Sequence, residues 1–297
     1  MNALLAQAAA AIEAGKVQLD MTETTAGGFE KRLLGEGTAI VQFTQYIDHG
    51  IQKQKPFKGQ PKKPAKTASL GFHILAGIGT LPDGTKEPYV QDGKLEKIRT
   101  RFDVVLHQNE KSNAVKIFNA LNYAKDATHF VQKLGSIYLL SIGIEKGKDG
   151  KEYNTYDFSQ LQKPIANAMT GAMYEAGKDG VADTPAEEYQ LFLWDAPTKE
   201  QWDSIFIEGE YEKKTKDANG NEVVEKKSKN FIQEKIRSAT NFKGSPIDLL
   251  LVSQGEDLPA LEAEVGESDP NDQHVEEEKT ADIPAVPAAD IPAVPAV

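Results

Sequence analysis

Between residues 38 and 158 the hydrophobic period changes twice, and that change limits the folds open to the chain. Residues 38–47 alternate, with Ala39, Val41, Phe43 and Ile47 on one face, which predicts a strand. Residues 69–78 alternate again through Leu70, Phe72 and Ile74, and residues 98–107 through Ile98, Thr100, Phe102, Val104 and Leu106. The spacing then becomes helical at Ala114, Ile117, Phe118 and Leu121, with Asn109 or Ser112 available as a cap. The helical pattern continues through Phe130, Val131 and Leu134 to Gly135. Strand character returns over 137–144, Asp149-Gly150 signals a tight hairpin, and a fifth strand is expected over 152–158.

The order is strand, strand, strand, helix, strand, strand. It predicts an α+β protein with an OB-fold-like five-stranded β-barrel and a helix between strands 3 and 4. The expected organisation is an N-terminal helix and lead-in over 1–35, the barrel core over 36–160, a helical and hairpin extension packed on it over 161–253, and a disordered tail over 254–297. In the extension, Thr198 and Gln201 have capping-box spacing and Asn219-Gly220 turns a charged ribbon over 211–227. Ser228 is placed to cap a helix bearing Phe231, Ile232, Ile236 and Ala239, and Ser245-Pro246 with Asp248 opens a last helix.

Charge separates the tail from the body. From Glu256 onward there are twelve acids and one base, Lys279, so the tail carries the whole formal charge of −11. The preceding residues hold 33 bases and 33 acids. A neutral body can carry basic patches that a whole-chain pI of 5.1 would hide. The tail lacks aromatics and ends in a repeat, Ala-Asp-Ile-Pro-Ala-Val-Pro-Ala at 281–288 and again at 289–296. It cannot bury enough apolar surface to offset its ordering entropy.

The loop between the first two strands concentrates the chemistry. Lys53, Lys55, Lys58, Lys62, Lys63 and Lys66 surround Phe57, with no acid among them and with Pro56, Pro61 and Pro64 restraining the backbone. Lysines attract phosphates and an aromatic ring gives a base a surface to stack on, which suits sequence-tolerant binding of single strands. In an OB-fold this loop is one of two binding loops. The other, between strands 4 and 5, would carry Lys146, Lys148 and Lys151, with Tyr153 and Tyr156 beyond them. Tyr153 and Tyr156 differ by three, so only one can face a groove from a flat strand. His73, Arg99, Arg101 and His107 are expected on the outward faces of strands two and three, where arginine can bond phosphate or stack on bases. The ribbon lysines Lys213, Lys214, Lys216, Lys226 and Lys227 are interleaved with acids and read as a solvated arm.

Enzyme signatures are absent. The chain has no phosphate-loop, GxGxxG, HExxH or GxSxG motif, and its five histidines show no metal-ligand spacing. Glu210-Tyr211-Glu212-Lys213 has the acid-x-acid-Lys form of metal-dependent nucleases but reads as coincidence. With no cysteine, disulfides and thiolate metal sites are excluded, and a reducing cytoplasm is expected. No apolar run reaches the roughly 18 residues a bilayer requires. The opening residues, with Leu4, Leu5, Ala8 and Ile12, read as a short helix rather than a signal peptide.

Over residues 38–158 and the tail from 254, the chain resembles tailed-phage single-stranded DNA-binding proteins of the replication type. The resemblance is architectural: an OB-fold with a helix between strands three and four and an acidic C-terminal tail. It implies sequence-independent binding of single-stranded DNA in phage replication, recombination or repair, in the host cytoplasm, without a cofactor. It also implies a tail that competes for the DNA groove and recruits replication proteins. This tail ends in Ala296-Val297, whereas many such tails end in an aromatic residue. The alternatives are a phage structural or assembly protein without DNA affinity, and a nuclease or other replication enzyme.

Overall fold

A computed structural model describes residues 33–77, 90–91, 94–100, 103–147, 150–216, 222–256 and 265–266. The chain divides into two compact units, Met1–Leu34 and Gly35–Val297, and the sheet with its covering layers belongs to the second. The expected N-terminal helix and the terminal repeat lie outside the described residues.

The organising element is β1, Gly37–Gln54, whose side chains are buried without a break from Ala39 to Gly50. A strand buried on both faces needs cover on both, so the protein is layered around it. β2 (Ala65–Gly77) pairs antiparallel with β1 from Ala39 opposite Gly77 to Gln52 opposite Ala65. The ladder is broken by bulges at Ile40/Val41, Phe43/Gln45 and Asp48/Ile51, which bend the pair and increase its twist. A two-residue ribbon comes next, β3 (Val90–Gln91) with β4 (Lys94–Leu95). The third strand is in two pieces, β5 (Lys97–Arg99) and β6 (Val104–Val105), both paired to β2. Buried Asp103 lies just before β6; the alternation leaves it on the outward face, where Lys235 of the covering layer meets it.

Helix α1, Asn113–Leu121, is capped by Ser112, whose Oγ accepts from the Val115 amide. It stops at Asn122, whose side chain turns the chain by accepting from the Asp126 and Ala127 amides. The helical spacing of Phe130 to Leu134 therefore belongs to a separate 3-10 turn, Phe130–Lys133. β7 (Ile137–Lys146) returns along the start of β1, and β8 (Glu152–Tyr156) pairs with β7. The order across the curled antiparallel sheet is β5-β2-β1-β7-β8. Among the described residues no ladder joins β8 back to β5 or β6, so the sheet is a half-barrel. The mixed α+β class expected from sequence is observed.

Inside the curl, Phe72 stacks on Phe158 at 4.8 Å and lies 5.1 Å from Phe43, while Tyr46 stacks on Phe130 at 5.9 Å. Ile47, expected on the same face as Phe43, faces the other way, because the Phe43/Gln45 bulge inverts the alternation. It joins an outer core of Phe192, Trp194, Trp202, Ile205, Ile232, Ile236 and Phe242.

That outer core comes from residues 159–252, which are less helical than the sequence suggested. They hold two short hairpin strands, β9 (Ile165–Asn167) and β10 (Ala172–Met173), then β11 (Gln190–Phe192), parallel to β1. Next come α2 (Lys199–Ser204), the ribbon β12 (Glu210–Lys216) with β13 (Glu222–Ser228), α3 (Phe231–Arg237) and α4 (Pro246–Ser253). Finally β14, Val265–Gly266, lies parallel to the end of β1. Thr198 caps α2, but Gln201 turns to the Leu193 amide instead of completing a capping box. Ser245 caps α4 with Asp248 in the first turn, as expected. Among the described residues no helix is long and apolar enough to cross a membrane.

Candidate nucleic-acid interface

β1 runs further than its alternation indicated, so Lys53 lies on the strand and the loop proper is residues 55–64. Its tip is a two-residue hairpin. The Phe57 amide donates to the Gln60 carbonyl and the Gln60 amide to the Phe57 carbonyl, both at 2.9 Å. Lys58 at φ 48° and Gly59 at φ 80° supply the two positive angles of a type I′ turn. A lysine in the left-handed region is unfavourable by about 1–2 kcal/mol, so the tip holds Lys58 against its backbone preference. The result is a compact cationic–aromatic unit: Lys58 Nζ lies 5.2 Å and Lys62 Nζ 5.5 Å from the centre of the half-buried Phe57 ring. Lys53, Lys55 and Lys63 are exposed around it.

Lys66, expected in the same set, is otherwise engaged. Its ammonium bridges buried Asp48 at 3.1 Å and exposed Asp195 at 2.8 Å. Burial would lower its pKa, but the hydrogen bond to Asp195 and the Asp48 carboxylate outweigh that and raise it. Lys66 ties the outer layer to the sheet and is not a spare cation.

The outward face of the sheet is not an open groove. Val181 packs on Ile40, Leu75 and Ala76 at one end, and the Trp194–Trp202 core covers the other. His73, expected to project from this face, is buried beneath that cover. Its Nε2 lies 3.1 Å from Glu188 and its Nδ1 2.7 Å from Thr44 Oγ1. Burial lowers its pKa, with a smaller push from Lys97 and opposition from Glu188. Lys97, opposite His73, donates to Gln190 at 2.7 Å, and burial with the adjacent Arg99 charge brings its pKa down to about 8. Arg99 does remain exposed, and its guanidinium carbon sits 5.7 Å over the Phe231 ring. Arg101 lies outside the described residues.

At the opposite end of β1, the β7–β8 hairpin carries Lys146, ion-paired across the strands to Glu152 at 3.5 Å, and exposed Lys151. Tyr153 is exposed, whereas Tyr156 is half-buried beside Phe158 at 6.1 Å. Of the two tyrosines, only Tyr153 presents its ring to solvent. Lys148 lies outside the described residues. The expected residues thus form three groups: the loop tip, the Arg99 region, and the β7–β8 hairpin.

Sequence reasoning missed two features beside these groups. Val265 pairs with Lys53 and Gly266 with Gln54, which places a piece of the acidic segment at the foot of the lysine loop. Phe231 is 49% exposed, although the apolar pattern groups it with the buried residues of its helix. A signal for this exists in the sequence: Ile232 and Ile236, four apart, define the buried stripe of the helix, and Phe231 lies about 100° from the first and about 140° from the second.

Catalytic residue types meet at one place. Ser69 Oγ lies 3.1 Å from His49 Nε2, and His49 Nδ1 lies 3.5 Å from Asp103 Oδ1, which belongs to a carboxylate also bridged to Lys235. Ser69 Oγ, however, reaches that same Asp103 oxygen at 3.5 Å. A relay needs nucleophile and acid on opposite sides of the imidazole, so the group forms a folded polar knot between β1 and β2. Burial brings the His49 pKa down to about 4, leaving it neutral near pH 7. Among the described residues no group of three or more acids and histidines is placed to hold a metal ion. No family model, curated protein or solved structure matches the chain.

Proposed function

We propose that the chain is a sequence-independent single-stranded DNA-binding protein of OB type, serving phage replication, recombination or repair. The observation that carries it is the loop tip at residues 55–64, where Phe57 is flanked by Lys58 and Lys62, with Lys55 and Lys63 exposed on the same loop and Lys53 exposed at the end of β1. Backbone phosphates are held by the lysines, and Phe57 and Tyr153 offer faces to bases. The strand order β5-β2-β1-β7-β8, with α1 between β6 and β7, supports a barrel of that type. The pairing of Val265–Gly266 with Lys53–Gln54 supports an acidic tail that competes with DNA for the loop. A strand displaced by DNA would be free to recruit replication proteins.

Filter binding of oligo-dT over a salt series tests this. Neutralisation of one phosphate by each of the five loop lysines predicts a log–log slope of about −3.5, at roughly −0.7 per contact on a single strand. Affinity that does not change with salt would remove the proposal.

A second reading, an assembly protein without DNA affinity, is favoured by the β9–β10 hairpin. It exposes Ile165, Met173 and a 97% exposed Met169. Concentration-dependent self-association without any DNA shift would select it.

A further inference from the structure

The geometry points to a second base-stacking site, formed by Phe231 and Arg99, in which the Phe231 ring takes one unpaired base and the Arg99 guanidinium the adjoining phosphate. The inference rests on the single-strand-binding reading and extends it to a surface away from the lysine loop.

Phe231 opens α3 and is half exposed, while its neighbour Ile232 enters the outer core. The burial of α3 is thus secured without the Phe231 ring. The exposed half of the ring adds no buried area to the fold. Arg99 reaches it from β5, a different element, with its guanidinium carbon 5.7 Å from the ring centre. A cation over one side of a ring leaves the aromatic surface accessible and holds a phosphate-binding fork beside it. Both components are fixed: Arg99 by the β5 pairing to Gly71, and Phe231 by the packing of Ile232 and Ile236. Lys97 stands two residues before Arg99 on the same side of β5 with its ammonium held by Gln190, and exposed Lys229 stands two residues before Phe231. Of the nearby acids, Glu188 bonds His73, while Glu234, three residues along α3, stands on the same side as Phe231 and offsets part of that positive charge.

The lysine loop and the Arg99–Phe231 pair both border the β2 side of the sheet. The loop leads into β2 at Ala65, and Arg99 pairs with Gly71 on the same strand. A nucleic-acid strand running along β6 and β5, which flank β2, would meet the loop first and Phe231 next. The ligand class is an unpaired nucleobase with its 5′ or 3′ phosphate, without base preference, because every base has a face to stack.

The test uses the full chain, oligo-dT of about 30 nucleotides, longer than a single-domain site, and an abasic oligonucleotide of equal length. Phe231→Leu keeps an apolar side chain at a half-exposed position, and thermal melting should match that of the unaltered protein. It should weaken oligo-dT binding roughly ten-fold with the salt slope unchanged, and should bind the abasic strand as the unaltered protein does. Arg99→Ala should weaken both ligands and make the slope shallower by about 0.7. If the unaltered protein binds oligo-dT and Phe231→Leu binds it equally well, the stacking site is wrong and the single-strand reading stands. A Phe231→Leu loss of the same size on the abasic strand also overturns it, by showing that no base is stacked. If the unaltered protein fails to bind oligo-dT at any salt, both the function and this site fall together.

Discussion

Gly50 lies directly against the ring of Trp194: a Cβ built on Gly50 would fall 2.3 Å from Trp194 Cζ3. Gly50 also has φ +70°. Two demands coincide, a left-handed backbone and room for an indole. Gly50→Ala should therefore destabilise the protein by about 3 kcal/mol or more, through displacement of a core tryptophan. Gly59→Ala provides the contrast, since Gly59 has φ +80° with nothing within 4 Å of its would-be Cβ. Its cost should be confined to the backbone, about 1 kcal/mol. Urea unfolding followed by tryptophan fluorescence separates the two; equal effects would refute the packing role of Gly50.

Lys66 and Lys58 should behave differently although both belong to the same basic run. Lys66→Ala strands the buried Asp48 carboxylate and should cost about 1–3 kcal/mol in stability, with little change in the salt dependence of DNA binding. Lys58→Ala should leave stability nearly unchanged and make the salt slope shallower by about 0.7. Melting curves and binding titrations on the two variants check this. A larger salt effect at Lys66 than at Lys58 would reverse the assignment.

Stability should fall as the solution is acidified through the histidine range. Burial holds the His49 pKa at about 4, below its ordinary 6.5, so between those values the unfolded chain binds the extra proton. Stability is then fully present above pH 6.5 and is lost progressively down to about pH 4, by an amount on the order of 3 kcal/mol from this group. The groups facing His49 are Ser69, Asp103 and, through Asp103, Lys235. His73, also lowered by burial, acts in the same direction. His49→Gln should flatten the pH dependence of denaturant unfolding between pH 7 and pH 5; an unchanged slope would show that His49 is not its source.

Removing residues 257–297 should tighten oligo-dT binding. The cut preserves the Gln254 cap of α4 and the contact of Glu256 with Lys199, while taking away the β14 segment and most of the tail acids. The gain should shrink as salt rises, because competition between two polyanions for one cationic surface is screened. Equal affinities at low salt would show that the acidic segment does not compete.

The strand and helix content of residues 37–158 was legible because period 2 and period 3.6 patterns are set by local burial. Bulges leave no such mark. The Phe43/Gln45 bulge sends Ile47 to the outer core, yet Phe43 and Ile47 read as same-face neighbours in sequence. Asn122 likewise ends α1 through side-chain bonds that apolar spacing does not encode. At the site, the lysine run was plain, but the carboxylates that engage Lys66 and cover His73 come from Asp195 and Glu188, more than a hundred residues away. Charge that distant in sequence is invisible to local pattern. Phe57 and its lysines were legible because ring and cations lie within one turn.

The free edge of β1 is completed piecemeal. Residues 37–42 pair with β7, Phe43 exchanges bonds with Gly135 and Ser136, and 45–47 pair with β11. Ile51 is served by Thr240 and Asn241, and 53–54 by β14. Its partners therefore leave the ribosome over a span of more than a hundred residues, the last of them some two hundred residues after β1 itself. Until then a long strand stands with an open hydrogen-bonding edge, an arrangement prone to pairing with a neighbouring nascent chain. Synthesis that stalls before residue 190 would leave that edge bare along most of its length, so truncated products of this gene should collect in aggregates while the finished chain stays dispersed.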